Sequence, residues 1–455
     1  MKEYDVIVVG SGSGMLIMDE AVGHGLKVAL VDRGPYGGTC LNTGCIPSKM
    51  LIYPADRIVE IQEAGKLGIK ADIRDIDFQS IMQRMRQSIG ETQKHIREGI
   101  DDIENLDFYE GEGRFVADHI IEVNGEQIKG DNIFLASGSR PFIPPIKGLD
   151  GVDYLTNETL LRLDERPESL IIIGGGYIGV EYGHFFAAMG TRVTILEMMD
   201  RLVPVEEPEI RELLYNQLSQ RMDVFLNYQA QEIKTEGGRV RVTVKDSVTG
   251  ESKDFAADRI LIAVGRRSNA DLLKVENTGI ELDQRGFIKA NEKLETNVKN
   301  VSAVGDANGQ QMFTHVANRE ALIAAENLLH DAGLKMSYDA IPHAAYSHPQ
   351  IAAVGLTEEQ ARQDHDILVA RVPYTDVAKG EAMMEQEGFA KAIVDKESMK
   401  ILGFHIIGPF APTLIQEVVN AMTSGGNIKE INDGIHIHPA LSELIQNTVN
   451  SLEEM

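Results

Sequence analysis

The chain of 455 residues has little cysteine, no long apolar run and no excess of basic residues. Its only two cysteines are Cys40 and Cys45, so it has no framework of structural disulfides and no second cysteine pair to complete the roughly four ligands of a structural zinc site. No apolar stretch approaches the roughly 18 residues that a membrane span needs, and the first ten residues predict a strand rather than a signal peptide. We therefore expect a globular protein of a reducing cytoplasm.

The shortage of positive charge restricts the partners that the chain can have. It has 44 basic and 70 acidic residues, a net charge of −26, which argues against binding to nucleic acid or to an anionic membrane. Solubility is one explanation of this acidity, and a basic protein partner is another. Because no low-complexity stretch or long linker interrupts the chain, we expect roughly three closely packed domains of ordinary size.

The two cysteines stand close together in the sequence, and Lys49 follows Cys45 by four residues. A chain that places its only thiols within one loop is predicted to use them for redox chemistry, although an inert buried pair is the alternative. Residues five apart on a continuous helix point about 140° apart, so a disulfide between Cys40 and Cys45 requires a distorted turn. The glycines before the pair and Pro47 just after it indicate a loop that meets a helix N-terminus, where a thiolate is favoured.

A glycine-rich turn follows the first apolar run, residues 6–9. Its glycines are Gly10, Gly12 and Gly14. A helical stretch comes next, and a second apolar run, 28–31, ends in Asp32. This order is typical of a dinucleotide-binding fold, in which the acid binds a ribose hydroxyl. Met15 stands where the usual motif has its third glycine, so the close helix-to-strand packing of that glycine cannot be made in the usual way.

A second copy of the same pattern begins at the apolar run 170–173. Its glycines are Gly174, Gly176 and Gly179. The following helix leads to another apolar run, 193–196, which ends in Glu197. Either glycine turn alone is a weak signal, but two turns that share the strand, helix and terminal acid predict two nucleotide sites.

The acid of the second copy also discriminates between the nicotinamide cofactors. A carboxylate at Glu197 accepts hydrogen bonds from a free ribose 2′-hydroxyl and repels a 2′-phosphate, and Met198 offers no cation that would bind a phosphate. Arg201 is the nearest basic residue and weakens this argument without reversing it. We expect NAD rather than NADP.

Six segments together carry a resemblance to a known family. They are 37–49, 136–141, 264–267, 303–306, 312–315 and 435–443. With the two glycine turns, they make the chain similar nearly end to end to the pyridine nucleotide-disulfide oxidoreductases, the group that contains dihydrolipoyl dehydrogenase, glutathione reductase and mercuric reductase. The resemblance implies an α/β fold with two Rossmann-type domains, for FAD and NAD, and a C-terminal α+β dimerisation domain in a homodimer.

The resemblance also implies domain boundaries. The regions are an FAD-binding domain at 1–150, an NAD-binding domain at 151–270, a central FAD-contacting region at 271–338 and an interface domain at 339–455.

Roles for the thiols and for an ion pair follow from the same resemblance. Cys45 would lie against the flavin as the charge-transfer thiol, and Cys40 would exchange with the substrate. Lys49 and Glu181 would form an ion pair near the flavin, where a cation stabilises the charge of the reduced ring.

A histidine near the C-terminus would complete the catalytic set. His438 would act as acid and base for Cys40, and Glu443 would orient it. The chemistry supports this role, because a thiolate nucleophile needs a base of near-neutral pKa and an imidazole needs a carboxylate to fix its tautomer. In the family this histidine belongs to the opposite subunit, although a C-terminal segment that folds back onto its own thiols is the alternative.

The resemblance assigns further residues to the cofactors and implies no metal. Those for FAD are Gly10, Gly12, Gly14, Asp32, Gly38, Thr39, Lys49, Gly113, Ser137, Gly138, Asp306, Met312, Thr314 and His315. Those for NAD are Gly174, Gly176, Tyr177, Gly179, Glu197, Ala230 and Gly265. Asp306 would hold the ribityl chain, and Tyr177 would cover the nicotinamide side of the flavin.

Within the family, dihydrolipoyl dehydrogenase is the leading expectation, because Glu197 indicates NAD and the ending His-Pro-x-x-x-Glu suits a lipoyl thiol. Mercuric reductases add a C-terminal cysteine pair that this chain lacks. Glutathione reductases carry arginines on the first helix, where this chain has Asp19 and Glu20.

Two alternatives stay open. A reductase of another small disulfide, similar to mycothione reductase, is indicated by the first helix, 14–20, and by Tyr177. A flavoprotein whose main task is binding, as a component of a 2-oxoacid dehydrogenase complex with a lipoyl domain as partner or as a redox sensor, is the other.

Overall fold

The computed structural model describes residues 1–453, which form two compact units. The first unit comprises Met1–Ser48, Met82–Phe142 and Gly265–Ser337. The second comprises Lys49–Ile81, Ile143–Val264 and residues 338–453.

Both units contain strands and helices. The strands are β1 (Lys2–Val9), β2 (Val28–Asp32), β3 (Leu106–Glu110), β4 (Arg114–Ala117), β5 (Ile120–Val123), β6 (Glu126–Leu135), β7 (Ser139–Pro141), β8 (Ser169–Ile173), β9 (Arg192–Leu196), β10 (Asp223–Phe225), β11 (Tyr228–Glu236), β12 (Arg239–Asp246), β13 (Ser252–Ala257), β14 (Arg259–Ile262), β15 (Arg266–Ser268), β16 (Val301–Ala303), β17 (Pro342–Ala345), β18 (Ile351–Gly355), β19 (Ile367–Pro373), β20 (Phe389–Asp395) and β21 (Ile401–Ile407).

The helices are α1 (Gly14–Gly23), α2 (Gly38–Asn42), α3 (Cys45–Glu63), α4 (Phe78–Asp101), α5 (Tyr177–Ala188), α6 (Pro208–Leu218), α7 (Thr314–His330), α8 (Glu358–Asp364), α9 (Ala378–Ala382), α10 (Ala411–Ser424), α11 (Lys429–Asn432) and α12 (Glu443–Asn450). Short 3₁₀ helices cover Ala64–Leu67, Leu149–Gly151, Leu160–Arg162, Val275–Asn277, Gly305–Ala307 and Tyr374–Asp376.

The first unit is built on a sheet with the strand order β3-β2-β1-β6-β5-β4, to which β16 adds by pairing with β6. Strands β1, β2, β3, β6 and β16 run parallel, and the apolar side chains of β1, β2, β6 and β16 are buried, as expected for parallel strands covered on both faces, whereas those of β3 at the sheet edge are half-buried. Val9 pairs with Val31 and with Leu135, so Gly10 and Asp32 lie at one edge of the sheet, beyond the carboxyl ends of the strands. Ligands of such folds bind at this edge.

The second unit contains the second parallel sheet, with the order β10-β9-β8-β14. Ile173 pairs with Leu196 and with Ile262, which again places a glycine turn and an acid at the carboxyl ends of neighbouring strands. An antiparallel sheet of β11, β12 and β13 covers one side of this region, and both sheets contribute to one apolar core.

The second unit also contains a five-stranded antiparallel sheet, ordered β17-β18-β21-β20-β19. Helices α10 and α12 pack on it and bury an apolar core that includes Phe404, Tyr374 and Leu444. The two parallel sheets and this α+β region agree with the fold class that the sequence predicts.

Among the described residues, no helix combines the length and the apolar character that crossing a bilayer requires.

Candidate active site

The first glycine turn leaves no room for side chains at Gly10 and Gly14. Gly10 has a φ of +109°, and a Cβ atom there would lie 2.2 Å from the carbonyl oxygen of Ala136. Gly14 is the first residue of α1, and a Cβ atom there would lie 2.8 Å from Cγ1 of Val8 on β1. Helix α1 therefore approaches β1 closely at Gly14, one residue before the usual position, and this explains how the turn tolerates Met15.

Asp32 is held at this turn by backbone groups. Its carboxylate oxygens accept hydrogen bonds from the amide of Ser11, at 2.5 Å, and from that of Gly34, at 2.7 Å. Gly38 lies across the turn from Gly12, and a Cβ atom on Gly38 would lie 2.6 Å from the Cα atom of Gly12. A cradle of bare backbone with a fixed acid suits the pyrophosphate and ribose of a dinucleotide such as FAD.

A second polar cluster of the first unit surrounds Asp306. Its carboxylate accepts a hydrogen bond from Ser139, at 2.5 Å, and lies 3.6 Å from the guanidinium of Arg266. Gly138, with a φ of +67°, precedes this serine. The hydroxyl of Ser137 is buried and has no hydrogen-bond partner within residues 1–453. A buried hydroxyl without a protein partner fits a site that a ligand completes.

The other residues predicted for FAD occupy more varied positions. Gly113 packs against β2, where a Cβ atom would lie 2.9 Å from Cγ1 of Val31. Met312 is exposed in the loop before α7, and the ring of His315 stacks on Phe313 with centroids 5.5 Å apart. These residues supply apolar and aromatic surface rather than charge.

The two thiols lie on separate helices. Cys40 belongs to α2 and Cys45 is the first residue of α3. Between them the amide of Thr43 donates to the carbonyl oxygen of Thr39, at 2.9 Å, and a Cβ atom on Gly44 would lie 2.9 Å from the same oxygen. The helix is therefore interrupted between the cysteines, as the spacing of the pair requires.

The surroundings of the two sulfurs make them chemically different. A hydrogen bond with the Cys45 sulfur, followed by partial burial, raises the pKa of Cys40 well above its ordinary value, although Thr314 opposes this shift. The Cys45 sulfur lies 3.5 Å from the hydroxyl of Thr314 and at a helix N-terminus, which stabilises negative charge. Cys40 therefore retains its proton longer, and its reaction requires a base.

The second glycine turn has the same construction as the first. Gly174 has a φ of +109°, and a Cβ atom there would lie 2.4 Å from the carbonyl oxygen of Ala263. At Gly179 a Cβ atom would lie 2.0 Å from the carbonyl oxygen of Gly174, so α5 packs against the turn through bare backbone. Gly176 has open space around it.

Glu197 occupies the position that Asp32 has in the first copy. Its carboxylate accepts hydrogen bonds from the amides of Gly175, at 2.6 Å, and Met199, at 2.7 Å. Arg201, the cation that weakened the prediction of NAD, forms an ion pair with Asp200. The turn and its acid fit the pyrophosphate and a ribose with a free 2′-hydroxyl.

Two further residues predicted for NAD have backbone or packing roles. Ala230 pairs with Val244 across two strands and packs on the apolar core of its region. Gly265, with a φ of +126°, accepts a hydrogen bond from the amide of Phe142 within the first unit.

Lys49 and Glu181 form the predicted ion pair. The Lys49 ammonium lies 3.0 and 2.9 Å from the two carboxylate oxygens of Glu181, whose side chain is only 9% exposed. The backbone amide of Tyr346 donates to the same carboxylate. The Lys49 ammonium lies over the Tyr346 ring, 4.2 Å from the ring centroid. The pair is thus held in a fixed geometry.

Tyr177 makes a contact that sequence reasoning missed. Its hydroxyl donates to Glu206, at 2.7 Å, and Nε2 of His343 lies 3.0 Å from the same carboxylate oxygen. Burial and the charge of Glu206 raise the pKa of Tyr177, so the phenol stays protonated. No local pattern signals this cluster, because His343 follows Glu206 by 137 residues.

His438 and Glu443 form the second predicted pair. Nδ1 of His438 lies 2.8 Å from Glu443, whose other oxygen accepts a hydrogen bond from the amide of Ala440. The hydrogen bond with His438 lowers the pKa of Glu443, so the carboxylate stays charged. A carboxylate on Nδ1 leaves Nε2 as the proton acceptor. A similar pair, His436 and Glu417, lies 2.6 Å apart and was not predicted.

Two glycine cradles with terminal acids and a pair of differentiated thiols define a redox protein that uses two nucleotides. Comparison with known families agrees: residues 4–321 match the pyridine nucleotide-disulphide oxidoreductase family, and residues 341–449 match the dimerisation domain of that family. The chain belongs to the pyridine nucleotide-disulphide oxidoreductase family.

Individual relatives carry several names. Mycothione reductase of Mycobacterium tuberculosis is 35% identical, over 99% of this chain and 100% of the relative. Dihydrolipoyl dehydrogenase of Chlamydia pneumoniae is 33% identical, over 97% of this chain and 95% of the relative. Among solved structures, a Cu(II) complex of the HOCl-induced flavoprotein disulfide reductase RclA from Escherichia coli is 29% identical, with a TM-score of 0.89 over 99% of both chains.

Membership confirms several predictions. The chain is a flavin-dependent pyridine nucleotide-disulfide oxidoreductase with the expected α/β fold, and the family uses FAD and NAD(P)H. The dimerisation domain supports the predicted homodimer. The domain boundaries, the roles of the site residues and the substrate stay predictions.

Proposed function

We propose that the chain is an NAD-dependent oxidoreductase that interconverts a small dithiol and its disulfide. Dihydrolipoamide is the leading substrate. The observation that carries the proposal is the unequal pair of thiols, in which Cys45 begins a helix beside the hydroxyl of Thr314 and Cys40 lies in the preceding helix. Such a pair separates the sulfur that exchanges with substrate from the sulfur that leaves as a thiolate.

The two nucleotides have separate sets of residues in this proposal. The cradle of Gly10 and Gly12 with Asp32 would hold the pyrophosphate and a ribose of FAD. The turn of Gly174 and Gly176 with Glu197 would hold NAD. Bound FAD supplies two-electron transfer between the thiol pair and the nicotinamide.

Oxidation of dihydrolipoamide begins with Cys40 and Cys45 joined as a disulfide. A substrate thiolate attacks the Cys40 sulfur, a new sulfur–sulfur bond forms, and the Cys40–Cys45 bond breaks with Cys45 leaving as a thiolate. The second substrate thiol, after losing its proton, attacks the first substrate sulfur and closes the lipoamide ring, which releases Cys40. The substrate loses two electrons and two protons. Balance requires that NAD⁺ receives a hydride and that one proton is released.

His438 moves the protons in these steps. With Glu443 on Nδ1, its Nε2 accepts the proton of the attacking thiol and returns a proton to Cys40, whose raised pKa makes it the thiol that needs this partner. We place His438 at the thiols of the opposite subunit of the homodimer. A reducing cytoplasm, where the pair cycles between thiols and disulfide, is the proposed compartment.

Charge supports a neutral substrate. Asp19 and Glu20 are exposed on α1, the helix that carries cations in glutathione reductases, and the chain has a net charge of −26. Lipoamide has no charge of its own, so it avoids the repulsion that an anionic disulfide would meet.

Reduction of another small disulfide is the second candidate, because mycothione reductase is 35% identical over nearly the whole chain. A binding role in a 2-oxoacid dehydrogenase complex would require a lipoyl-bearing acyltransferase to co-purify with the chain.

Steady-state kinetics with a panel of disulfides test the proposal. We expect the holoenzyme to use NADH with lipoamide at a higher kcat/KM than with the disulfides of glutathione, mycothiol or coenzyme A. A tenfold preference for NADPH would contradict the proposed cofactor. A tenfold higher kcat/KM with the mycothiol disulfide would replace lipoamide by the second candidate.

A further inference from the structure

Two clusters of the second unit gather side chains of the kinds that bind metal ions. One consists of Asp56, His184 and His348, and the other of Glu207, Glu209 and Glu358. In each cluster the nearest donor atoms lie within 4.8 Å of one another.

The glutamate cluster already contains its own cation. The ammonium of Lys391 lies 2.7 Å from Glu207, 2.9 Å from Glu209 and 2.7 Å from Glu358, and the lysine side chain is only 2% exposed. A metal ion would have to displace a buried ammonium that neutralises these carboxylates. The glutamate cluster is therefore an ion-pair network.

The other cluster has a different donor set. Nε2 of His184 lies 2.9 Å from Oδ1 of Asp56, and Nδ1 of His348 lies 3.8 Å from the same oxygen. Two imidazole nitrogens and a carboxylate oxygen suit transition metals such as Zn²⁺ rather than Mg²⁺ or Ca²⁺, which prefer oxygen ligands alone. We propose that Asp56, His184 and His348 bind one divalent transition-metal ion, at a site made of residues other than the redox thiols and His438.

The ligand atoms of this cluster need to move only a short distance to bind an ion. Zinc bonds of about 2.1 Å at tetrahedral angles place ligand atoms roughly 3.4 Å apart, so a separation of at most 4.8 Å closes by about 1.4 Å or less. His184 is fully buried and Asp56 is 11% exposed, whereas His348 is 27% exposed. His348, at the edge of the cluster, supplies both the movement and the path by which an ion enters.

Neighbouring groups support this use of His348. Its other nitrogen, Nε2, lies 3.7 Å from the carboxylate of Glu63. A carboxylate on the second nitrogen of a ligating histidine orients the ring and increases its basicity, as in many zinc sites.

Arg221 is the cation next to this cluster. It donates to the carbonyl oxygen of His348, and its guanidinium is 3.4 Å from Nδ1 of His184, the nitrogen that the metal does not use. Asp56 and Glu63 together balance this arginine and one charge of the ion. The contact between Arg221 and Nδ1 of His184 is long for a hydrogen bond, so losing it on metal binding costs little free energy.

Each proposed ligand comes shortly after a residue of the Lys49–Glu181–Tyr346 contact in the sequence. Asp56 lies on α3 seven residues after Lys49, His184 on α5 three residues after Glu181, and His348 two residues after Tyr346. Lys49, Glu181 and Tyr346 are in mutual contact. A bound ion would therefore join the same three segments a second time, and we expect it to stabilise the fold.

Metal binding is measured on the holoenzyme with Cys40 and Cys45 oxidised to the disulfide, which prevents zinc from binding to the thiols. Equilibrium dialysis against Zn²⁺ at the concentration of the protein, with metal quantified by mass spectrometry, gives the stoichiometry and affinity. We expect one ion per chain, with an affinity that falls at least tenfold in His348→Gln and in His184→Gln. His330→Gln removes an exposed histidine 3.9 Å from a glutamate and should leave binding unchanged.

The thermal midpoint provides a second measurement that does not depend on disulfide reduction. Zn²⁺ should raise the midpoint of the wild type and of His330→Gln but not that of His348→Gln. His348→Gln decides the outcome if His184→Gln fails to fold. Absence of zinc uptake by the wild type, or equal affinity in the wild type and His348→Gln, would overturn the proposal.

Discussion

Cys40 and Cys45 are chemically identical side chains that the fold places in different surroundings. Cys45 begins a helix and contacts a hydroxyl, whereas Cys40 is half-buried and donates to the other sulfur. The difference assigns substrate exchange to Cys40, and it predicts how two neighbouring residues control the reactivity of that thiol.

Cys45→Ala should lower the pKa of Cys40, because the hydrogen bond with the Cys45 sulfur is the largest cause of its upward shift. Thr314→Val should move the pKa further up, since Thr314 works against that shift. The rate at which iodoacetamide alkylates Cys40 in the reduced holoenzyme at pH 8, followed by peptide mass spectrometry, checks both signs, because the rate follows the thiolate fraction: it should rise in Cys45→Ala and fall in Thr314→Val. Equal rates in the wild type and both variants would show that neither neighbour controls Cys40.

At the scale of secondary-structure elements, the junction between a strand and the following helix organises each nucleotide site. At the first junction Gly14 lies against the side chain of Val8 on the preceding strand, and at the second Gly179 lies against the backbone of Gly174. Gly176 of the second turn, by contrast, faces open space, which suits contact with a ligand rather than packing.

Two alanine substitutions separate packing from binding at the second turn. Gly179→Ala places a Cβ atom 2.0 Å from the carbonyl oxygen of Gly174, so we expect a loss of about 1–3 kcal/mol in stability. The added Cβ atom of Gly176→Ala has no atom within 4 Å, so this variant should keep the stability of the wild type. Because the same Cβ atom would occupy space proposed for the nucleotide, the KM for NADH should rise. Urea midpoints and NADH kinetics measure the two effects. Equal midpoints for both variants would contradict the packing role of Gly179.

Local sequence patterns predicted these elements well, because strand, glycine turn, helix and acid follow one another within a few tens of residues. The position of Gly14 explained Met15 only once the distance to Val8 was known. Contacts between distant segments, such as that of Glu206 with His343, could not be predicted. They depend on how separate elements pack, and no local spacing encodes that packing.

Across the second unit, buried charge connects α6, α8 and β20. Lys391 of β20 contacts Glu207 and Glu209 at the start of α6 and Glu358 at the start of α8. Burial works against the charge of Glu358 and Glu209, but hydrogen bonds from Lys391 outweigh it, and the pKa of each carboxyl lies below its ordinary value. Their stabilising contribution is present above the unfolded pKa of about 4.3 and is lost as the pH falls through the lower folded pKa.

Lys391→Met should reverse this dependence on pH. Without the ammonium, the fully buried Glu207 is uncompensated at pH 7, which we expect to cost about 3–5 kcal/mol. Without Lys391, burial raises the pKa of Glu209 and of Glu358, so acid protonates these carboxylates more readily and the gap in urea midpoint between variant and wild type should shrink from pH 7 to pH 4.5. Lys335→Met removes an exposed partner of Glu292 and should change stability by at most about 1 kcal/mol. A gap that is constant with pH would contradict this account.

At the scale of the homodimer, we expect each active site to combine the thiols of one subunit with His438 of the other. His438 is 72% exposed in the described chain, and the dimerisation domain includes it. Heterodimers of Cys40→Ser with His438→Ala, purified through two different tags, should regain roughly half of the wild-type activity, because one of their two sites receives intact thiols and an intact histidine. Activity no higher than that of either parent would place the whole site within one chain.

In the proposed function, electrons pass between NAD(H) and the Cys40–Cys45 pair. The most direct measurement is anaerobic incubation of the oxidised holoenzyme with NADH, followed by alkylation and mass spectrometry of the peptide that contains both cysteines. We expect NADH to convert the disulfide peptide to the doubly alkylated form within the turnover time, and NADPH at the same concentration to do so at least tenfold more slowly. A pair that stays a disulfide in the presence of NADH would exclude electron transfer from NADH to these thiols.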